Sequence, residues 1–133
     1  MRVRLTIPGV PVPLQRSRTA RGRHYLPRRS RNYRDLVQSE WMAAGRPSLG
    51  TAPFTASARF YGANARADLD NLVKAVLDAL NGLAFADDSQ MVCLSGCHKL
   101  PADDSGPRVE LDLWKATTAP IERRMSSRDR VVK

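Results

Sequence analysis

The sequence predicts an α+β domain, with two helices packed on one face of a small, mostly four-stranded mixed sheet. Three observations carry that prediction. Apolar and polar residues alternate with a period of two in several short stretches. Two longer stretches space their apolar residues as a helix does. The elements follow in the order β-α-β-α-β-β, which segregates helices to one side of a sheet. At 133 residues the chain is long enough to bury a core without disulfide or metal staples. Residues 1–116 are read as that domain, and 117–133 as a basic, frayed tail.

Val3, Leu5 and Ile7 alternate with Arg2, Arg4 and Thr6, a half-buried strand that Pro8, Pro11 and Pro13 end. Residues 14–32 carry seven arginines and no acid, and Gly22 and Pro27 argue against regular structure. This is expected to be a basic loop ordered by phosphate contacts, with a solvated arm as the plain alternative. Tyr33, Leu36, Val37, Trp41 and Ala44 then fall at helical spacing, and Gly45 with Pro47 stops the helix. Phe54, Ala56, Ala58 and Phe60 alternate with Thr55, Ser57, Arg59 and Tyr61 as a second strand, and 62–67 is a turn. Leu69, Leu72, Val73, Val76, Leu77 and Leu80 mark the clearest amphipathic helix, stopped at Asn81-Gly82. Residues 91–98 and 108–114 read as two further strands, and 101–107 has the composition of a hairpin loop between them.

Lys and Arg number 22 against 13 Asp and Glu, a formal net charge of +9. That balance favours a polyanionic partner, because each neutralised phosphate releases a condensed counterion. A ribosome-like basic protein fits the charge as well. Two cysteines, Cys93 and Cys97, are too few for a disulfide framework. No signal-peptide core or membrane-length apolar run is present, so a cytosolic chain with reduced thiols is expected. The Cys93, Cys97 and His98 spacing matches no standard zinc pattern, and the cysteines are expected to be small buried hydrophobes. Without a Gly-rich phosphate loop, no nucleotide cofactor is expected.

Against this basic background, Asp68, Asp70, Asp78, Asp87 and Asp88 with Lys74 form a dense acidic cluster. Each has an ordinary explanation. Asp68 is a good N-cap, Asp70 complements the helix dipole, Lys74 can pair at i,i+4, and Asp87-Asp88 suits a turn. Their coincidence points instead to carboxylates that hold a hard cation such as Mg²⁺ against a phosphate. Lys74 would then hold the scissile phosphate or offset charge developing on it. A helix of about twelve residues is roughly 18 Å long, which separates Asp70 from the loop after Gly82. Asp88 can rejoin Asp68 and Asp70 if 82–87 runs back along the helix, or if a second subunit supplies it.

The run Asp68-Leu-Asp70-Asn71-Leu-x-Lys74-x-x-x-Asp78-Ala-Leu-Asn-Gly, followed by Phe-x-Asp87-Asp88-x-Gln90, resembles the RusA family of Holliday junction resolvases. Pro11-Val-Pro13-Leu-Gln15-Arg16-Ser-Arg18 and Pro107-Arg108-Val-Glu are similar to that family too, and the likeness covers roughly residues 4–115. Ala67 stands where relatives often have proline. The resemblance implies a homodimeric, Mg²⁺-dependent endonuclease that binds four-way DNA junctions and nicks two opposed strands symmetrically, with Mn²⁺ as a substitute metal. It assigns Asp68, Asp70 and Asp88 as metal-binding catalytic carboxylates and Lys74 as the catalytic lysine, with Asp87 as a further metal ligand.

Arg16, Arg18, Arg21 and Arg23 are the candidate DNA contacts, acting on phosphates and junction shape more than on bases. Tyr25 and Tyr61 are candidates for wedging at the crossover. Trp41 is expected in the core, and Trp114 in the core or at a subunit contact. Two other readings stand beside this one. One is a nuclease for flaps, forks or RNA with the same site, and the other is a basic nucleic-acid-binding module whose aspartates only cap a helix.

Overall fold

The computed structural model describes residues 2–116. Six strands and two helices follow in the order β1 (Arg2–Pro8), β2 (Arg18–Ala20), β3 (Arg23–Tyr25), α1 (Arg28–Ala43), β4 (Phe54–Tyr61), α2 (Leu69–Leu80), β5 (Met91–Leu100) and β6 (Arg108–Lys115). A 3-10 turn at Asp88–Gln90 precedes β5. The main sheet has the order β1-β6-β4-β5, antiparallel except for the parallel pair β4 and β5. With β2 and β3 set aside in a ribbon of their own, the elements keep the expected β-α-β-α-β-β order, and the fold is α+β. The arginine-rich tail lies outside the described residues.

Alternation in the strands sets the face the helices cover. Val3, Leu5 and Ile7 of β1 and Val109, Leu111 and Leu113 of β6 are buried, as are Phe54, Ala56, Ala58 and Phe60 of β4. From α2, Leu72, Val76 and Leu80 enter the same core, and from α1, Tyr33, Val37 and Trp41. α1 contacts β1, α2 contacts β5, and the helices contact each other. Trp41 is core, as expected, and its indole Nε1 donates to Pro47 O at 2.8 Å.

Several sequence expectations need correction. The stretch 14–32 is not one irregular loop. Residues 18–25 form an antiparallel ribbon, closed by Arg21 and Gly22 at φ +54° and +76°. Positive φ at both central residues is what a two-residue hairpin turn needs, so Gly22 makes regular structure here. Helix α1 also begins earlier than expected, at Arg28, with Pro27 as the residue that precedes it. Ser30 and Tyr33 are buried in that first part of the helix, and their burial outweighs the unfavourable arginines at its positive end.

The second correction is topological. Residues 101–107 do not close a β5–β6 hairpin, because β4 lies between those strands. The segment crosses the end of β4 at Gly62, where a Cβ would stand 2.9 Å from Pro107 Cβ and 3.2 Å from Ala102 Cβ. Gly62 also sits at φ +76° and donates its N–H to Leu100 O at 2.8 Å. Only glycine meets both demands without strain.

The sheet face away from the helices carries ion pairs. Arg59 and Arg108 both reach Glu110, at 2.8 and 2.9 Å, and Arg108 also holds Asp103 at 2.6 Å. Arg108 lies 3.9 Å from the Tyr61 ring centroid. Those two arginines hold the Glu110 carboxyl below its usual range. Arg2 and Arg4 flank Asp112 at 3.2 and 3.5 Å, and Arg2 covers Trp114 at 5.3 Å. Trp114 is therefore a half-buried residue of the open face and does not belong to the core.

After α2 the chain reverses. Gly82, at φ +83°, donates to Phe85 O at 2.9 Å, and Ala84 and Phe85 are buried. The Phe85 ring packs on Phe54 with centroids 4.7 Å apart. Replacing Phe85 with alanine should cost about 3–5 kcal/mol, read as a lower urea midpoint at unchanged m-value.

Candidate active site

Asp68 caps α2, and its Oδ1 accepts the Asp70 N–H at 3.1 Å. From there Asp70, Lys74 and Asp78 follow at i, i+4 and i+8 on one polar line of the helix. The opposite face is apolar and buried, so the packing of Leu72, Val76 and Leu80 fixes the direction in which this line points.

Asp88 arrives by the reversal. Ala86 N donates to Gly50 O at 3.0 Å and Leu49 N to Ala84 O at 2.8 Å, tying the turn to the segment before β4. Gln90 Nε2 donates to Gly50 O and Ala52 O at 2.9 and 2.8 Å, while Gln90 Oε1 accepts the Asp87 N–H at 2.7 Å. Asp87 returns the favour by accepting the Ser89 N–H at 3.0 Å, completing a capping box. Those Ser89 hydrogen bonds hold the Asp87 carboxyl below the usual range.

The result is one cleft of about 480 Å³ lined by Asp70, Lys74, Asp78 and Asp88 over a floor that includes Val73, Leu77 and Met91. Asp88 of the same chain does reach the helix, by the return of 82–87 that chain length allowed. Asp68 stands at the helix start outside this lining, and Asp87 faces its own turn. Among the described residues, no three His, Cys, Asp or Glu side chains converge closely enough to form a metal cage. The carboxylate oxygens that do line the cleft are the donor type that hard divalent cations take.

Asp78 is the residue the sequence reading did not promote. Desolvation in the cleft wall raises its carboxyl pKa, the Asp88 charge raises it further, and Lys74 draws it back. Its place at i+4 from Lys74 was visible but suited an ordinary helix-surface pair. Among the described residues, however, Lys74 has no carboxylate within the 4.0 Å of an ion pair. It stands among several carboxylates and is committed to none.

The basic residues divide in two. Arg21 and Arg23 are exposed on the ribbon, with Arg18 on its first strand, and Arg16 is exposed ahead of it. Among the described residues, none of Arg16, Arg21 and Arg23 is paired with an acid, in contrast to Arg59 and Arg108. Tyr25 of the ribbon is 45% exposed, whereas Tyr61 is covered by Arg108. The cysteines differ from expectation. Cys93 is exposed and Cys97 half-buried, because β5 is an edge strand whose residues are largely open to solvent. No helix among the described residues is long and apolar enough to cross a membrane.

A cleft that gathers three carboxylates and one lysine offers the groups that metal-assisted phosphodiester chemistry uses. The family model described as Endodeoxyribonuclease RusA matches residues 8–113. The chain belongs to the RusA family, whose members are endonucleases that bind branched DNA and resolve Holliday junctions. No curated protein matches the chain.

The raised Asp78 pKa has a stability consequence. Its folded pKa lies above its unfolded value, so ionising it costs more in the fold, and stability falls as pH rises above the ordinary aspartate range. Asp78→Asn should therefore melt higher than the parent at about pH 7. It should melt with the parent at about pH 3, below the usual aspartate pKa of about 3.9, as followed by circular dichroism.

Proposed function

We propose that this chain is a Mg²⁺-dependent, structure-selective DNA endonuclease. It resolves four-way junctions by paired symmetric nicks, in recombination and repair. The observation that carries this reading is the meeting of Lys74 with Asp70, Asp78 and Asp88 in one cleft of a chain of the RusA family. Asp70 and Asp88 hold the cation, with Asp68 offering its second oxygen from the helix start. Asp87 supports Asp88 through its capping box and stands second in line as a ligand. Mn²⁺ serves the same donor set. When bound, the metal supplies Lewis-acid polarisation of a phosphoryl oxygen.

The protein's own groups do the remainder. The Lys74 ammonium holds the scissile phosphate and offsets the charge that grows on it as water adds and the bond to the leaving oxygen breaks. Asp78, whose proton is held longer by desolvation and by Asp88, is placed to manage a proton at its carboxyl oxygens. Arg16, Arg18, Arg21 and Arg23 bind backbone phosphates and position the duplex arms, and Tyr25 is the ribbon's exposed aromatic for the crossover.

A homodimer belongs to this reading. A junction has near two-fold symmetry, which an isologous dimer matches with two identical sites. Strand β5 pairs only with β4 among the described residues, and Leu94 on it is 48% exposed while also lining the cleft. Two register shifts against β4 blunt this edge for strand addition. A second copy would meet it through side chains such as Leu94, bringing the two clefts near each other.

Cleavage of a labelled four-way junction beside linear duplex, in Mg²⁺ and in EDTA, tests the proposal. Paired nicks in opposed strands are expected with the parent, and none with Asp70→Asn at undiminished junction affinity. Junction binding without a cut in Mg²⁺ or Mn²⁺ would leave a binding module whose aspartates are helix caps. Lys74→Ala should slow cutting by about 10²–10³-fold in single-turnover assays. Replacing Arg21 and Arg23 together by alanine should lower the slope of log affinity against log salt by about two, at roughly 0.9 per phosphate contact.

A further inference from the structure

Beside the candidate cleft lies a second cavity of about 370 Å³, which shares Leu14 and Asp78 with it. The segment after β1 builds the partition between them. Leu14 N donates to Asn71 O of α2 at 2.9 Å, and Gln15 N donates to Ser30 Oγ of α1 at 3.0 Å. The chain is thereby pinned to both helices. Leu14, Leu26, Ala75 and Ala79 give this second cavity apolar walls, and Tyr33 adds an aromatic ring.

Its polar groups are few and convergent. Ser30 Oγ donates to Gln15 Oε1 at 3.2 Å, so both side chains are oriented before anything binds. Arg16 and Arg34 bring two guanidinium groups. Among the described residues, Arg34 is engaged only by an exposed neighbour, Asp35, at 3.6 Å, a pair of small energetic weight. Tyr33 is 6% exposed and its hydroxyl has no hydrogen-bond partner among the described residues. Burial also pushes its pKa up, so it remains a neutral donor. That hydroxyl is sealed from the cavity as well as from solvent, so the aromatic ring, and not the hydroxyl, is what a ligand would meet.

We propose that this cavity takes one unstacked nucleobase from the DNA strand held in the cleft, with Arg16 and Arg34 on the phosphates flanking that nucleotide. The inference rests on the nuclease reading and deepens it. An apolar slot with an aromatic wall and a few fixed polar groups is the chemistry that receives a base taken out of its stack. A free phosphate would find no use for the aliphatic walls, and an aliphatic ligand none for two guanidinium groups. Nucleotides at a branch point are already weakly stacked, which lowers the cost of extruding one. The pocket would let the protein sense that a strand is branched, since an intact duplex offers no loose base.

The test uses four-way junctions carrying 2-aminopurine at single positions around the branch, bound to Asp70→Asn protein so that no strand is cut. One position is expected to brighten several-fold on binding, as a base leaving its stack does. Tyr33→Leu, which removes the aromatic wall, should reduce that rise and weaken junction binding about tenfold, the loss of one base–aromatic stacking contact. Ala75→Leu, which fills the cavity, should abolish the rise, with the urea midpoint showing that it folds. Tight junction binding with no brightening at any position overturns the proposal. So does a rise that both Tyr33→Leu and Ala75→Leu leave unchanged, since the unstacking would then occur outside this cavity. If the parent neither binds nor cuts junctions, the nuclease reading itself has failed, and the inference falls with it.

Discussion

The reversal of the chain after Leu80 is the constraint on which the site depends. A parallel pair such as β4 and β5 needs a crossover, and α2 supplies it. A crossover helix leaves its C-terminal end far from its start, yet Asp88 has to come back toward Asp70. Phe85 makes that return favourable by burying its ring against Phe54 at the start of β4. The hydrogen bonds from Gln90 and Ala86 to the backbone of 50–52 then fix where the returning segment stops. Core packing and site geometry are thus a single problem here, solved by one aromatic pair and one glutamine.

Charge is organised on the same principle. The formal excess of +9 suggests a uniformly basic particle, but the acids are not spread evenly. Glu110, Asp112 and Asp103 spend their charge on the open sheet face, where Arg2, Arg4, Arg59 and Arg108 answer them. The cleft holds Asp70, Asp78 and Asp88, with Lys74 among them. Among the described residues, the arginines without an acidic partner gather mainly in one stretch of the chain, at Arg16, Arg21, Arg23, Arg28, Arg29 and Arg31. The long-range field that draws in a polyanion is therefore directional, since charges paired at contact distance contribute little beyond a Debye length of about 8–10 Å.

Much of this was legible in the sequence because it follows from periodicity. The alternation in β1, β4 and β6 and the apolar stripe of α2 each appear where the residues placed them, and Asn81-Gly82 ends α2 as read. The failures share a cause. The start of α1 carries arginines where a helix prefers acids, and only tertiary burial of Ser30 and Tyr33 makes it helical. The ribbon has no apolar alternation because β3 is exposed throughout. The segment 101–107 has a composition that serves a hairpin and a strand-crossing connection equally well. In the site, Asp70, Lys74 and Asp88 could be marked as chemistry-bearing from their density alone. Asp78 stood in the same cluster but suited a helix-surface pair, and only the fold shows that it is desolvated, with the Asp88 charge close by.

Asp70, Lys74 and Asp78 are spaced by the helix itself, about 6 Å per step at 1.5 Å per residue. Asp88 is held differently, by a turn seated on two phenylalanines and a few backbone carbonyls. Three groups therefore sit on a fixed ruler and the fourth on a movable stop. A substitution near residues 49–52 would therefore shift Asp88 against the other three groups while leaving their mutual spacing unchanged. The loop before β4, and not the helix, sets where the fourth carboxylate stands.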